Sequence, residues 1–173
     1  GEDAIVASKV LGITLTKRNN GSASENELAG FPHHALDTYL HKLVKAGHRV
    51  AVCDQLEDPK SVKGIVKRGV TELITPGVSF NDQILDSNKN NFLVSIRFGK
   101  PDLGAAFLDV STGEFYVAQG PKYYIEKLVA GFSPSEVLFE RSKKEHYYEL
   151  FGNKYHTYYL EDWAIQEEFG YEQ

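Results

Sequence analysis

Sulfur-containing residues are almost absent from this sequence, whose 173 residues include one cysteine and no methionine. A single cysteine excludes an intramolecular disulfide, which is typical of a reducing compartment such as the cytoplasm. No apolar run approaches the roughly 20 residues of a membrane span, and no signal peptide opens the chain. Because the chain begins with GEDAIVAS, already in a helical pattern, we interpret it as a segment of a longer protein.

The common nucleotide-binding and nucleophile motifs are also missing. No GxxxxGK[ST] occurs, since Gly99-Lys100 is followed by proline, and there is no GxGxxG or GxSxG. We therefore expect no ATP site, no catalytic serine and no cofactor within these residues.

Apolar residues make up 42% of the chain, enough to build a packed core. The net charge of −5 is unevenly distributed. Residues 1–78 hold ten Lys/Arg and nine Asp/Glu, whereas residues 79–173 hold nine and fifteen. A polyanion would therefore prefer the first part, although ordinary surface variation gives the same pattern.

Two domains are predicted by the order of elements. In the first, over 1–78, residues 3–11 form a helix and ITLTKR a strand, while NNGSASENELAG is a polar loop. A helix then runs from Pro32 to Gly47, followed by the strand RVAVCDQ and by GIVKRGVTELITPG as a strand or hairpin.

Residues 79–90 lack periodicity and are predicted to be a linker to a second domain over 91–173. That domain begins with the strands NFLVSIRFG, LGAAFLDVS and EFYVAQG, joined by tight turns. The segments PKYYIEKLVAGF, SEVLFE, SKKEHYYELFG, KYHTYYLE and DWAIQEEFG then alternate between helix and strand. Three antiparallel strands followed by two crossover units predict an α/β protein with a ribonuclease H-like fold.

Histidines cluster around the second helix, but their spacing does not predict a metal site. His34 and His41 are two turns apart, roughly 10 Å, and no CxxC or HxxxH occurs. Cys53 lies within an apolar strand, where we expect a small buried hydrophobic residue instead of a nucleophile.

A two-metal nuclease is the enzymatic alternative, because Asp109 in AAFLDVSTGEF has the strand setting of a metal carboxylate. Partners would have to come from carboxylates most of which look solvated, namely Glu114, Glu126, Glu136, Glu140, Glu161 and Asp162. The other interpretation is that Asp109 caps the turn that follows it. Mg²⁺-dependent nicking that Asp109→Asn abolishes would identify the nuclease.

Clusters of basic residues suggest a second interpretation, in which the chain binds nucleic acid without cleaving it. Lys17 and Arg18 end a strand in LTKRNNG, and KSVKGIVKR places Lys60, Lys63, Lys67 and Arg68 with no acid between them. Cations at loop edges suit phosphate contact, although a solvated surface has the same composition.

Long stretches of the chain resemble, in order, the bacterial MutS family of mismatch-repair proteins. They are GEDAIVASKVLGITLTKR, AGFPHHALDTYLHKLVKAGHRVAVCDQLEDP, VKRGVTELITPGV and GAAFLDVSTGEF. The resemblance covers nearly the whole chain and is weakly marked only over 142–173. It implies a mixed-sheet mismatch-recognition domain over 1–78 that lacks its extreme N-terminus. A ribonuclease H-like connector without nuclease activity would follow over 91–173, truncated at its C-terminal end.

The resemblance also implies particular site residues. The family reads a mispair with a Phe-x-Glu that would lie just before residue 1. The arginine of LTKR lies against DNA in the family, which implies DNA contact for Arg18 with Lys17 beside it. The residue before AG packs near the opened base step, and here it is Leu28. His33 replaces the commoner tyrosine, so any role of that ring stays open. No catalytic residue and no metal ligand are implied.

For the parent protein, the resemblance implies a DNA-dependent ATPase that uses ATP and Mg²⁺ in domains outside this chain. Its partners would be duplex DNA with mispairs or small loops, a second copy in a homodimer, and MutL. The implied location is the bacterial cytoplasm, in association with the nucleoid.

The two predicted domains should behave as separate folding units, because the linker is aperiodic and the charge changes near residue 80. Limited proteolysis followed by mass spectrometry should locate the first cut between Val78 and Asn91. A first cut inside HALDTYLHKLV would contradict this domain boundary.

Overall fold

The structure, a computed structural model, describes residues 1–19, 25–61, 64–78 and 90–165, and for residues 18, 19, 25 and 165 it describes the backbone alone. The chain divides into two compact units, the first ending at Thr75 and the second beginning at Pro76. Residues 79–89, which form most of the predicted linker, lie outside the described residues. No helix among the described residues is long and apolar enough to cross a membrane.

Four α-helices and nine strands are described. The helices are α1 (Glu2–Leu11), α2 (Leu36–Lys45), α3 (Lys122–Phe132) and α4 (Lys144–Phe151). The strands of the first unit are β1 (Leu15–Asn19), β2 (Glu25–Ala29), β3 (Val50–Gln55) and β4 (Arg68–Ile74). Those of the second unit are β5 (Phe92–Phe98), β6 (Leu103–Asp109), β7 (Glu114–Gly120), β8 (Glu136–Glu140) and β9 (Thr157–Leu160).

The first unit combines two helices with two antiparallel strand pairs. β1 pairs with β2, and β3 pairs with β4. Helix α1 contacts both β2 and α2, and the buried side chains of Leu11, Leu40 and Val44 lie on the two helices. Gly12 follows α1 with φ of 68°, a left-handed conformation that glycine adopts without strain.

Two predictions for the first unit are wrong. The polar stretch predicted as a loop contains strand β2, which the weak strand propensity of glutamate and asparagine conceals. Cys53 is exposed, not buried. It lies opposite Val70, itself 67% exposed, and the register shifts between Val52 and Cys53. The two-stranded β3–β4 sheet therefore leaves the Cys53 side chain accessible to solvent.

A five-stranded mixed sheet organises the second unit, in the order β7-β6-β5-β8-β9. The strands β5, β6 and β7 form an antiparallel meander, whereas β8 and β9 join in parallel. This order and direction confirm the predicted α/β class and the predicted element sequence. The described part of the predicted last helix is a 3₁₀ turn, Asp162–Ile165.

Alternate residues of the sheet face a single aromatic and aliphatic core beneath α3 and α4. Val94 and Ile96 of β5 are fully buried, as are Val137 and Phe139 of β8. Phe139 stacks on Tyr147 of α4 with ring centroids 4.2 Å apart and planes 6° apart. The packing of this pair joins α4 to the sheet.

Replacement of Phe139 by alanine should lower the free energy of unfolding of the second unit by about 3–5 kcal/mol, because it removes a fully buried ring. Urea denaturation followed through Trp163, the single tryptophan, would measure this. Tyr123→Ala is the control, since Tyr123 is 72% exposed and its loss should cost less than about 1 kcal/mol. Equal losses for the two variants would contradict this description of the core.

Candidate nucleic-acid interface

The β1–β2 hairpin carries all three residues implied in DNA contact. Its register pairs Thr16 with Leu28, Lys17 with Glu27, and Arg18 with Asn26. The Thr16 hydroxyl donates a hydrogen bond to the Leu28 carbonyl at 3.0 Å, which adds a side-chain bond to this pairing. The hairpin therefore brings Lys17 and Leu28 within one residue of each other across the strands.

Lys17 and Leu28 nevertheless point to opposite sides of the hairpin. Directly opposed residues share a face, and consecutive residues of a strand alternate between faces. Lys17 shares its face with Glu27, whereas Leu28 shares its face with Thr16. Lys17 is exposed, and Leu28 is 47% exposed. Leu28 is thus an accessible apolar side chain on the face away from Lys17.

For Arg18 the structure describes only the backbone. It is the fourth residue of β1, opposite Asn26 of β2. The side chain of Arg18 lies outside the described residues.

The segment between β3 and β4 is held by two carboxylates that accept backbone N–H groups. Asp58 caps the turn after β3 by accepting the Lys60 N–H at 2.9 Å, and Glu57 accepts the Lys67 N–H at 3.0 Å. Arg68 opens β4 opposite Gln55, and Lys63 lies outside the described residues. These two hydrogen bonds engage the backbone N–H groups of Lys60 and Lys67, so they shape the turn and do not pair the ammonium groups with acids.

Asp109 at the end of β6 is completely buried and fully hydrogen-bonded. Its Oδ1 accepts the Ser111 hydroxyl at 2.6 Å and the Ser111 N–H at 2.9 Å, with the Thr112 N–H at 3.4 Å. Its Oδ2 accepts the Asn91 N–H at 2.9 Å. Burial alone would raise the pKa of Asp109, but these hydrogen bonds outweigh it and lower the pKa below its ordinary value. Asp109 is thus an anionic turn cap, one of the two interpretations that the sequence allowed.

The other carboxylates do not gather around Asp109. Glu136 and Glu140 are buried, whereas Glu161 and Asp162 are exposed. Glu136 accepts the Gly77 N–H at 3.0 Å, and Glu140 forms an ion pair with Arg97. Among the described residues there is no group of three or more His, Cys, Asp or Glu side chains that could hold a metal ion. The geometry therefore does not support the nuclease interpretation.

Two family models match the chain in succession. Residues 1–83 match MutS domain I, and residues 91–171 match MutS domain II. The chain belongs to the MutS family. The family match supports the α/β fold class, with the mixed sheet in the domain II unit and two antiparallel pairs described in the domain I unit.

Curated MutS relatives are similar over almost the whole chain. A protein of Cytophaga hutchinsonii named DNA mismatch repair protein MutS is 68% identical over 171 residues, 99% of this chain and 20% of the relative. Proteins of the same name from Flavobacterium psychrophilum and Phocaeicola vulgatus are each 61% identical, over 99% and 96% of this chain. The matches cover 20% and 19% of these two relatives, so the chain spans about a fifth of the length of these MutS proteins.

Sequence reasoning missed Glu27 as part of the candidate interface. Its carboxylate position opposite Lys17 follows from the β1–β2 register, which was hidden when β2 was predicted as a loop. The sequence ENELA does not alternate between polar and apolar residues, so periodicity gave no signal for this strand.

Replacement of Asp109 by asparagine should destabilise the domain II unit by about 1–3 kcal/mol at pH 7. The amide nitrogen would meet the donors that the carboxylate now accepts. Because the folded-state pKa is lowered, this contribution is present above the ordinary carboxyl pKa and is lost as the pH falls through the lower, folded value.

Urea denaturation of both proteins between pH 7 and pH 2.5 would measure this difference. The wild-type advantage should shrink toward acid pH, and Glu126→Gln on α3 should show no comparable change. A difference that persists unchanged at pH 2.5 would show that the Asp109 charge is not what stabilises the turn.

Proposed function

We propose that this chain takes part in DNA mismatch recognition as a non-catalytic segment of a mismatch-repair protein. The observation that carries the proposal is the succession of MutS domain I and MutS domain II matches along the chain. The 68% identity to a protein named for DNA mismatch repair supports the same conclusion.

The DNA-facing element in this proposal is the β1–β2 hairpin. Lys17 and Arg18 would contact phosphates, because cations supply the sequence-independent part of DNA affinity. Leu28 would pack near an opened base step, which its 47% exposure permits. Since Lys17 and Leu28 point to opposite faces, they would contact different parts of the duplex. Glu27 lies on the same face as Lys17, and its negative charge would weaken the attraction of that face for phosphate.

For the whole protein we propose a homodimeric, DNA-dependent ATPase that uses ATP and Mg²⁺ and recruits MutL. Its DNA partner would be a duplex with mispairs or small loops, and its location the cytoplasm near the nucleoid. None of the common phosphate-loop motifs occurs in these 173 residues, which supports the assignment of ATP hydrolysis to other parts of such a protein.

The isolated chain should bind DNA weakly and with little preference for a mispair. No Phe-x-Glu occurs in the sequence, and one stacked aromatic contributes roughly 1–3 kcal/mol, or one to two decades of discrimination. Fluorescence titration with matched and G·T-containing duplexes at low and moderate salt would test this. Arg18→Ala should weaken both complexes alike and reduce the slope of log affinity against log salt by about 1.

Lys45→Ala is the matched control for this titration, since Lys45 ends α2, outside the hairpin. Its effect on affinity should be smaller than that of Arg18→Ala. Tight, salt-insensitive and mismatch-selective binding would show that the mispair-recognition residues lie within this chain. That result would contradict the proposal that this chain supplies mainly phosphate contacts.

A further inference from the structure

A small cavity of about 210 Å³ lies at one end of the five-stranded sheet of the second unit. Phe98 at the end of β5 and Leu103 at the start of β6 contribute apolar walls. The remaining walls come from the β5–β6 turn, the first residue of α3, and the start and middle of α4. The cavity therefore lies at the carboxyl end of β5, between the start of α3 and one side of α4.

Basic side chains from three separate segments surround this cavity. Lys100 comes from the β5–β6 turn and Lys122 from α3, while Lys143 and His146 come from the segment at the start of α4. Within the described parts of the chain, none of the three lysines has a carboxylate partner within 4.0 Å. Glu149 is the one acidic residue in the lining.

Such a gathering of positive charge is unexpected in this part of the protein. Residues 79–173 hold fifteen Asp/Glu against nine Lys/Arg, a net charge of −6. Lysines that share a cavity repel one another, and a bound anion would offset that repulsion because it attracts each lysine.

The amino end of α3 reinforces the same potential. Lys122 is the first residue of α3, and this end has no side-chain hydrogen bond. The N–H groups of a first helical turn carry partial positive charge, which adds to the charge of the lysines. Helix α4 differs, because it continues the 3₁₀ turn Arg141–Lys143, in which the Ser142 N–H donates to Asp162 at 3.3 Å.

The size and charge of the cavity limit its ligand. Pockets for drug-sized molecules usually measure about 300–1,000 Å³, so 210 Å³ holds a small group and not a whole nucleotide. The lining holds three lysines and one carboxylate, an excess of positive charge. A phosphate group complements this excess, since it carries one negative charge in a DNA diester and about −1.5 to −2 as a titratable monoester at neutral pH. We propose that this cavity binds a phosphate group, supplied by a free phosphate or by the backbone of DNA.

Titration of the 173-residue chain with inorganic phosphate would test the proposal, with sodium chloride at equal ionic strength as the reference. Amide signals in a ¹H–¹⁵N spectrum should shift saturably with phosphate at the starts of α3 and α4, and not with chloride. Lys122→Gln and Lys143→Gln should each weaken phosphate affinity roughly tenfold, the usual effect of losing a charge-assisted contact. Circular dichroism checks that each variant is folded, and having two variants keeps the test valid if one is not.

Lys127→Gln provides the matched control, because Lys127 lies on the same helix α3 but outside the cavity lining. Its phosphate affinity should equal that of the wild type. Displacement of phosphate by a short matched duplex would identify DNA as the source, whereas phosphate binding that a duplex leaves unchanged would identify a free phosphate. Shifts no larger than those with chloride, or equal losses for Lys127→Gln and Lys122→Gln, would overturn the proposal.

Discussion

The second unit depends on the pairing of β5 with two different neighbours. β5 is antiparallel to β6 along one edge and parallel to β8 along the other, so a single strand joins the meander to the crossover units. Its buried residues Val94 and Ile96 meet Phe107 and Ala105 on one side, and Val137 and Phe139 on the other. A one-residue slip would turn this apolar row away from α3 and α4 and expose it.

This pairing also gives the sheet two ends of opposite chemical character. Phe92 at the start of β5 lies opposite Asp109, whose negative charge is stabilised by four hydrogen bonds from protein donors. Phe98 at its other end lies opposite Leu103, beside the lysine-lined cavity. The strand has seven residues, so these ends are roughly 20 Å apart. The anionic end is internally satisfied, whereas the cationic end is open to a ligand.

The second unit could be predicted from sequence in more detail than the first. Its first three strands are apolar segments separated by the turn residues KPD and STG, so their limits could be predicted. The burial of every second residue in Leu103–Asp109 is seen only in the structure. β2 could not be predicted in the same way, since it is short and rich in glutamate and asparagine, and only its pairing with β1 defines it. Cys53 was misplaced for a related reason, because an apolar strand is buried only when something covers it. Lys17 and Arg18 were indicated by their place at a loop edge and by family resemblance, and Leu28 by resemblance alone. The opposite faces of Lys17 and Leu28 depend on a strand register that sequence does not specify.

The exposure of Cys53 has a practical consequence for how this protein can be studied. It is the one thiol in the sequence and lies in the first unit, while Trp163 is the one indole and lies in the second. A thiol-reactive acceptor dye would therefore attach at a single known position without any mutation. Energy transfer from Trp163 to that dye would then report the distance between the two units in solution, with and without DNA.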